Sequence, residues 1–333
     1  MFNKIKKFIQ DKNLIKPDST VLIGLSGGPD SVCLLNILNN LKEEFNLKLI
    51  AAHLDHEWRK DSENDVTFCK NLCDQLNKDA RIPRQARDER LVKFISEKAS
   101  ELDFKFKDIG SKEDLGRQMR RYFFEKTAKE FGANYIALGQ HLQDQEENFF
   151  IRLIRGTSLS GLTGIKVTDV SSSGFTYIRP LIETTKEEIL EYLKENDLEY
   201  LTDPTNVDMS FLRNRIRIKV IPAIKECDAR FDSNFLRTVH KLQAADNFID
   251  KIAQEFVKDE LDTKELLALD IYLQKRILLK WLIKNRAEFN ISESFLDEML
   301  KFLQSEHGGT HKLSDSWLIE KKKNRVKLIK WEK

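Results

Sequence analysis

An apolar run at 21–25 (VLIGL) passes into Ser26-Gly27-Gly28-Pro29-Asp30-Ser31 and then directly into a helical pattern of Val32, Leu34, Leu35, Ile37, Leu38 and Leu41. No other stretch constrains the fold as much. A second run follows at 48–54 (KLIAAHL), so the order is strand, helix, strand. Parallel strands joined this way need a right-handed crossover and a sheet with helices on its faces. Pro29 fits the first helical turn, where a missing N–H is no loss. A third strand is predicted at 135–138, behind a helix through 122–131, and a fourth at 177–181. The polar stretch 168–175 (TDVSSSGF) reads as a loop. The expected architecture is α/β, a doubly wound parallel sheet. Beyond Asp203-Pro204 the pattern turns helical from 211 to 305, and 312–319 with 326–331 flank a polar KKKNR as a β-hairpin. The expected domains are therefore 1–205 and a smaller, mostly helical 206–333 that ends in the hairpin.

Composition agrees with a helix-rich globular chain. Only 13 Gly and 6 Pro occur in 333 residues, while 41% are hydrophobic and 33% charged. That excludes collagen-like, disordered and disulfide-scaffold classes. The formal net charge is +2, so no global field announces a partner, although a local basic face would suffice for a polyanion. The amphipathic start, MFNKIKKFIQ, lacks the apolar core of a signal peptide, and no run approaches the ~18 apolar residues of a membrane span. A cytoplasmic chain with no membrane partner is expected. Cys33, Cys69, Cys73 and Cys227 form no C-x-x-C pair; Cys69 and Cys73, four apart on a helix, read as reduced buried thiols rather than a metal or redox pair.

The glycine junction has the make-up of an anion site. Glycines let phosphate oxygens approach the backbone, and a helix N-terminus offers free N–H groups and a favourable dipole. Ser26 and Ser31 add hydroxyls, and Asp30 is placed to hold Mg²⁺ bridging phosphates. No Lys follows the glycines, so this is not a Walker A loop, and G-x-G-x-x-G is absent. Two polar clusters follow later strands, where ligands of open α/β sheets sit. One is His53-Leu54-Asp55-His56; the other runs from Gly139 to Asn148. Their carboxylates Asp55, Asp144 and Glu147 suit Mg²⁺ or developing charge. A zinc site from His53, His56 and His141 is weaker than an ordinary polar-loop reading, and His307 and His311 read as solvated. Arg81, Arg84, Arg87, Arg90 and Lys93 recur every three residues, either as a solvated stretch or as a polyanion contact.

SGGPDS matches the loop of the PP-loop ATP pyrophosphatases, which cleave ATP to AMP and pyrophosphate. HLDHEWRKDS, GQHLQDQEEN, Arg155-Gly156-Thr157, Arg179-Pro180-Leu181, Asp203-Pro204-Thr205-Asn206 and Arg213-Asn214-Arg215-Ile216-Arg217 follow in an order that resembles the tRNA(Ile)-lysidine synthetases in their short form, which lacks a further C-terminal domain. The resemblance implies adenylation of the C2 oxygen of the wobble cytidine of tRNA(Ile) with a CAU anticodon, then displacement of AMP by free L-lysine. It implies ATP on Ser26, Gly27, Gly28, Pro29, Asp30 and Ser31, Mg²⁺ on Asp30 and Asp144, and catalytic roles for Asp30, Asp55 and Asp144. Arg213, Arg215 and Arg217, with Arg84, Arg87 and Arg90 of an apparent insertion, are the expected tRNA contacts; a homodimer stays open. Gln118, Gln140, Gln143 and Asn148 depart from the family pattern. They keep two alternatives in view: another PP-loop tRNA-modifying enzyme, and a catalytically weakened tRNA-binding protein.

Overall fold

The computed structural model describes residues 1–59, 61–79, 91–104, 112–202, 208–285 and 291–331. Arg81, Arg84, Arg87, Arg90 and the block 203–206 lie outside them. The chain divides into two compact units, Met1–Val239 and His240–Lys333. The sequence changes character near 205, but the helices of 208–239 pack with the first unit.

The first unit begins with α1 (Phe2–Asp11), β1 (Thr20–Gly24), α2 (Pro29–Leu41), β2 (Lys48–Asp55), α3 (Ser62–Asp79), β3 (Lys93–Lys98), α4 (Lys112–Glu130) and β4 (Tyr135–Ala137). It continues with α5 (Leu142–Arg155), α6 (Leu159–Leu162), β5 (Thr168–Val170), β6 (Thr176–Ile178) and α7 (Lys186–Glu195). A helical run closes it: α8 (Leu212–Arg215), a π-helical turn (Ile216–Val220), α9 (Ile221–Cys227) and the start of α10 (Phe231–Phe256).

The sheet has the order β3-β2-β1-β4-β6-β5. All its pairs are parallel except β5 with β6. Alternate residues serve opposite faces. Val21, Ile23, Leu49 and Ala51 join one core with Ile5, Leu34, Leu38 and Leu193, while Leu22, Ile50, Ala52 and Leu54 join another with Phe123 and Phe124. Both faces are covered, which is why the strands read as continuous apolar runs. Two expectations change. The strand predicted at 177–181 ends at Ile178, because Pro180 cannot donate to a ladder. The polar 168–170 is an exposed antiparallel edge strand rather than loop.

The second unit has β7 (Leu261–Asp262), α11 (Thr263–Leu267), α12 (Ile271–Lys284), α13 (Glu293–Gln304), β8 (Gly309–Lys312), β9 (Trp317–Lys322) and β10 (Arg325–Lys330). The expected hairpin is β9–β10, widened by β8 and β7 into an antiparallel sheet of order β7-β10-β9-β8. Trp281, Leu278, Met299, Leu303, Ile319 and Val326 form its core. Among the described residues no helix is long and apolar enough to cross a membrane.

Candidate nucleotide site

β1 is flanked by β2 on one side and β4 on the other, so the strand order reverses at its C-terminal end. Ligands of such sheets bind at that crevice. Gly24–Gly28 carries the chain from β1 to the helix, with Gly28 as N-cap and Pro29 in the first turn of α2. The loop is held by its own serines. Ser31 Oγ donates to Gly28 O at 2.9 Å and accepts from Ser26 N at 3.1 Å, and Ser26 Oγ accepts from Gly28 N at 3.3 Å. Gly27 has φ +82°, and Leu201 N donates to its carbonyl at 2.9 Å. Gly139, just past β4, comes so close to the loop that a Cβ there would lie 2.9 Å from Asp30 O.

The polar clusters predicted after β2 and β4 converge beside this loop. His141 caps α5: its Nδ1 accepts from Gln143 N at 3.2 Å, while its own N–H donates to Asp144 Oδ2 at 3.0 Å. Its Nε2 is flanked by Asp30 Oδ2 at 3.6 Å and Asp144 Oδ2 at 3.7 Å. Burial alone would raise the Asp144 carboxyl, but His141 and Arg213 hold it below the usual carboxylate range. Two carboxylates beside a phosphate-shaped loop are the oxygen donors that Mg²⁺ shares with phosphates. Among the described residues no group of three or more His, Cys, Asp or Glu is arranged to hold a metal by itself. The donor set thus fits a cation completed by phosphate oxygens, not a caged one.

Asp55 ends β2 and is 2% exposed. Its Oδ1 accepts from Glu57 N at 2.8 Å, and its Oδ2 has no partner. His53 is tied away from the site, Nδ1 donating to Leu25 O at 2.9 Å, and burial lowers its pKa. Burial also lowers His56, to about 4, and neither of its ring nitrogens has a partner. Cys69 and Cys73 are buried free thiols that burial pushes up, so neither is a ready nucleophile.

The arginines of the RNRIR block divide. Arg213 binds three carboxylates: Asp144 and Glu147 at 2.6 Å and Glu113 at 3.1 Å. Arg217 binds Glu147 at 2.6 Å. Burial opposes the Arg213 charge, but Asp144 and Glu147 outweigh it and raise its pKa. Arg215 is exposed and donates to Met209 O and Ser210 O. Of the departures from the family pattern, Gln140 accepts from Arg179, and Asn148 accepts from Arg152 at 3.2 Å.

Sequence reasoning missed two groups. Lys186, the first residue of α7, places Nζ 2.6 Å from Asp30 Oδ1. Glu146 is fully buried beside Lys225 and Asp232, and burial raises its pKa to about 8. The chain pattern marked a helix start at Lys186 and a polar helix at Glu146, and nothing in it told which loop either would face.

A model described as a PP-loop domain matches residues 1–224. The chain is 30% identical over 317 residues to a protein of Clostridioides difficile named tRNA(Ile)-lysidine synthase, covering 92% of this chain and 63% of that one. A protein of the same name from Caldanaerobacter subterraneus is 38% identical over 228 residues, covering 68% of this chain and 44% of that one. The chain thus spans less than two thirds of these relatives. The solved U34-tRNA thiolase NcsA from Methanococcus maripaludis resembles it with a TM-score of 0.56 at 17% identity, over 72% of this chain and 78% of that one, a likeness of fold. The self-bonded SGGPDS loop at the switch point and the match over residues 1–224 agree, and the chain belongs to the PP-loop domain family.

Proposed function

We propose that the chain is an ATP-dependent ligase that joins L-lysine to C2 of the wobble cytidine of a CAU-anticodon tRNA(Ile), giving lysidine, AMP and pyrophosphate. The observation that carries this reading is the convergence of Ser26–Ser31, Asp30, His141 and Asp144 at one crevice, in a chain whose relatives bear that enzyme's name. The loop's backbone N–H groups and serines hold the ATP phosphates. Asp30 and Asp144 would hold Mg²⁺, which supplies charge neutralisation on the phosphates. The cytidine O2 attacks the α-phosphorus and pyrophosphate leaves. A lysine amine then attacks C2, the C–O bond breaks, and AMP leaves with the electron pair. Holding both substrates beside the activated carbon supplies proximity. Asp55, with one oxygen unpartnered at the end of β2, stands ready for a proton or a cation. Arg213 and Arg217 position Asp144 and Glu147, while exposed Arg215 reaches for RNA phosphate together with Arg84, Arg87 and Arg90.

Incubation of the chain with ATP, lysine and the CAU tRNA, followed by mass spectrometry of the nucleosides, is expected to give one lysidine per tRNA. Asp30→Ala should abolish AMP release. Lysidine formation unchanged in that variant would overturn the site. The Gln140 contact with Arg179 favours, as a second reading, an RNA-binding protein of weakened activity; the absence of ATP–pyrophosphate exchange with intact tRNA binding would select it.

A further inference from the structure

None of the residues 26–31 is basic. A loop of this kind meets a polyphosphate with N–H groups and hydroxyls, and most of the phosphate charge is left for other groups to balance. The nearest cation comes from 156 residues away in sequence: Lys186 Nζ is 2.6 Å from Asp30 Oδ1. The other Asp30 oxygen faces His141 and, across it, Asp144. A divalent cation shared by Asp30 and phosphates therefore has to compete with a lysine that already occupies one end of that carboxylate. The lysine is well placed to yield. Its backbone is fixed by the Thr185–Glu188 capping box at the start of α7, while its ammonium rides on a flexible four-carbon stem and is only half-buried.

We propose that Lys186 is an exchangeable counter-ion. It neutralises Asp30 while the loop is empty. It moves to the terminal phosphates of the nucleotide when a divalent cation arrives with them and takes its place on Asp30. Metal without nucleotide is thereby disfavoured, and metal with nucleotide is accepted. The proposal rests on the nucleotide-binding part of the reading above and is independent of lysine and tRNA.

The test measures Mn²⁺ binding by electron paramagnetic resonance, and binding of a non-hydrolysable ATP analogue by calorimetry. It uses the wild-type chain, Lys186→Met and Lys186→Arg. Without nucleotide, Lys186→Met should bind Mn²⁺ on the order of tenfold more tightly than wild type, a shift of about 1.4 kcal/mol. With Mn²⁺ present, the same variant should bind the analogue about tenfold more weakly. Lys186→Arg should restore both. Opposite signs in one variant cannot come from a general loss of structure. Mn²⁺ affinity that stays unchanged or falls in nucleotide-free Lys186→Met would overturn the counter-ion role. A wild-type chain that binds no analogue would overturn the nucleotide reading, and the proposal with it.

Discussion

Gly27 is where the phosphate loop depends most on a single side chain being absent. Its φ of +82° disfavours any L side chain, and a Cβ would lie 2.8 Å from Leu201 Cδ1. Gly27→Val should cost about 1–3 kcal/mol in backbone strain alone and remove binding of an ATP analogue. Calorimetry with a circular-dichroism control checks this, and retained affinity in a folded variant would contradict the loop assignment. Glu146 gives a pH prediction. Its carboxyl is raised to about 8, first by burial and with Asp232 adding to it against Lys225. The folded state therefore holds this proton more tightly than the unfolded chain. Its contribution is full below the ordinary carboxylate pKa and is lost as pH rises towards 8, at up to about 1.4 kcal/mol per pH unit. Glu146→Gln carries no such loss. Its melting temperature relative to wild type should climb from pH 5 to pH 8, and parallel profiles would refute the assignment. Ser26–Ser31 was legible in the sequence because every hydrogen bond that shapes the loop is local. Lys186 and the carboxylates of Arg213 were not, since their partners lie 156 and 66–100 residues away.

Among the elements, α7 matters because its first turn presents Lys186. Thr185 Oγ accepts from Glu188 N at 3.1 Å and Thr185 N donates to Glu188 Oε2 at 2.8 Å, a reciprocal cap. Thr185→Ala should destabilise the fold by about 1 kcal/mol. It should also weaken binding of the ATP analogue, since the Lys186 backbone loses its fixed start. Chemical denaturation and calorimetry read the two effects, and an unchanged denaturation midpoint would remove the cap's importance. The central strands β1, β2 and β4 could be read from sequence because burial on both faces leaves them continuously apolar. The edge strands could not. β5 is exposed along its whole length, and β3 alternates charged and apolar residues like many loops.

At the scale of the whole molecule, the sequence marks residue 205 as the end of strand-forming pattern, yet the following helices stay with the first unit. Arg213 and Arg217 are held by carboxylates of α4 and α5, and Phe235 and Val239 pack on Leu142 and Phe149. Such long-range pairings leave no periodicity to read. The second unit has its own core around Leu278, Trp281 and Met299. Leu278→Ala should lower that unit's stability by about 2–5 kcal/mol while leaving binding of the ATP analogue at its wild-type value. Scanning calorimetry beside nucleotide titration checks this, and a parallel loss of nucleotide affinity would contradict the division. The π-helical turn at Ile216–Val220 carries a further consequence. It holds one residue more than an α-helix of the same span. Excising one residue there would restore α-helical phase and rotate α9 by about 100° relative to Arg213. Lys225 would then swing away from Asp232, which it now meets at 2.9 Å. The segment keeps count: it accepts exchanges of side chain far more readily than a change of length.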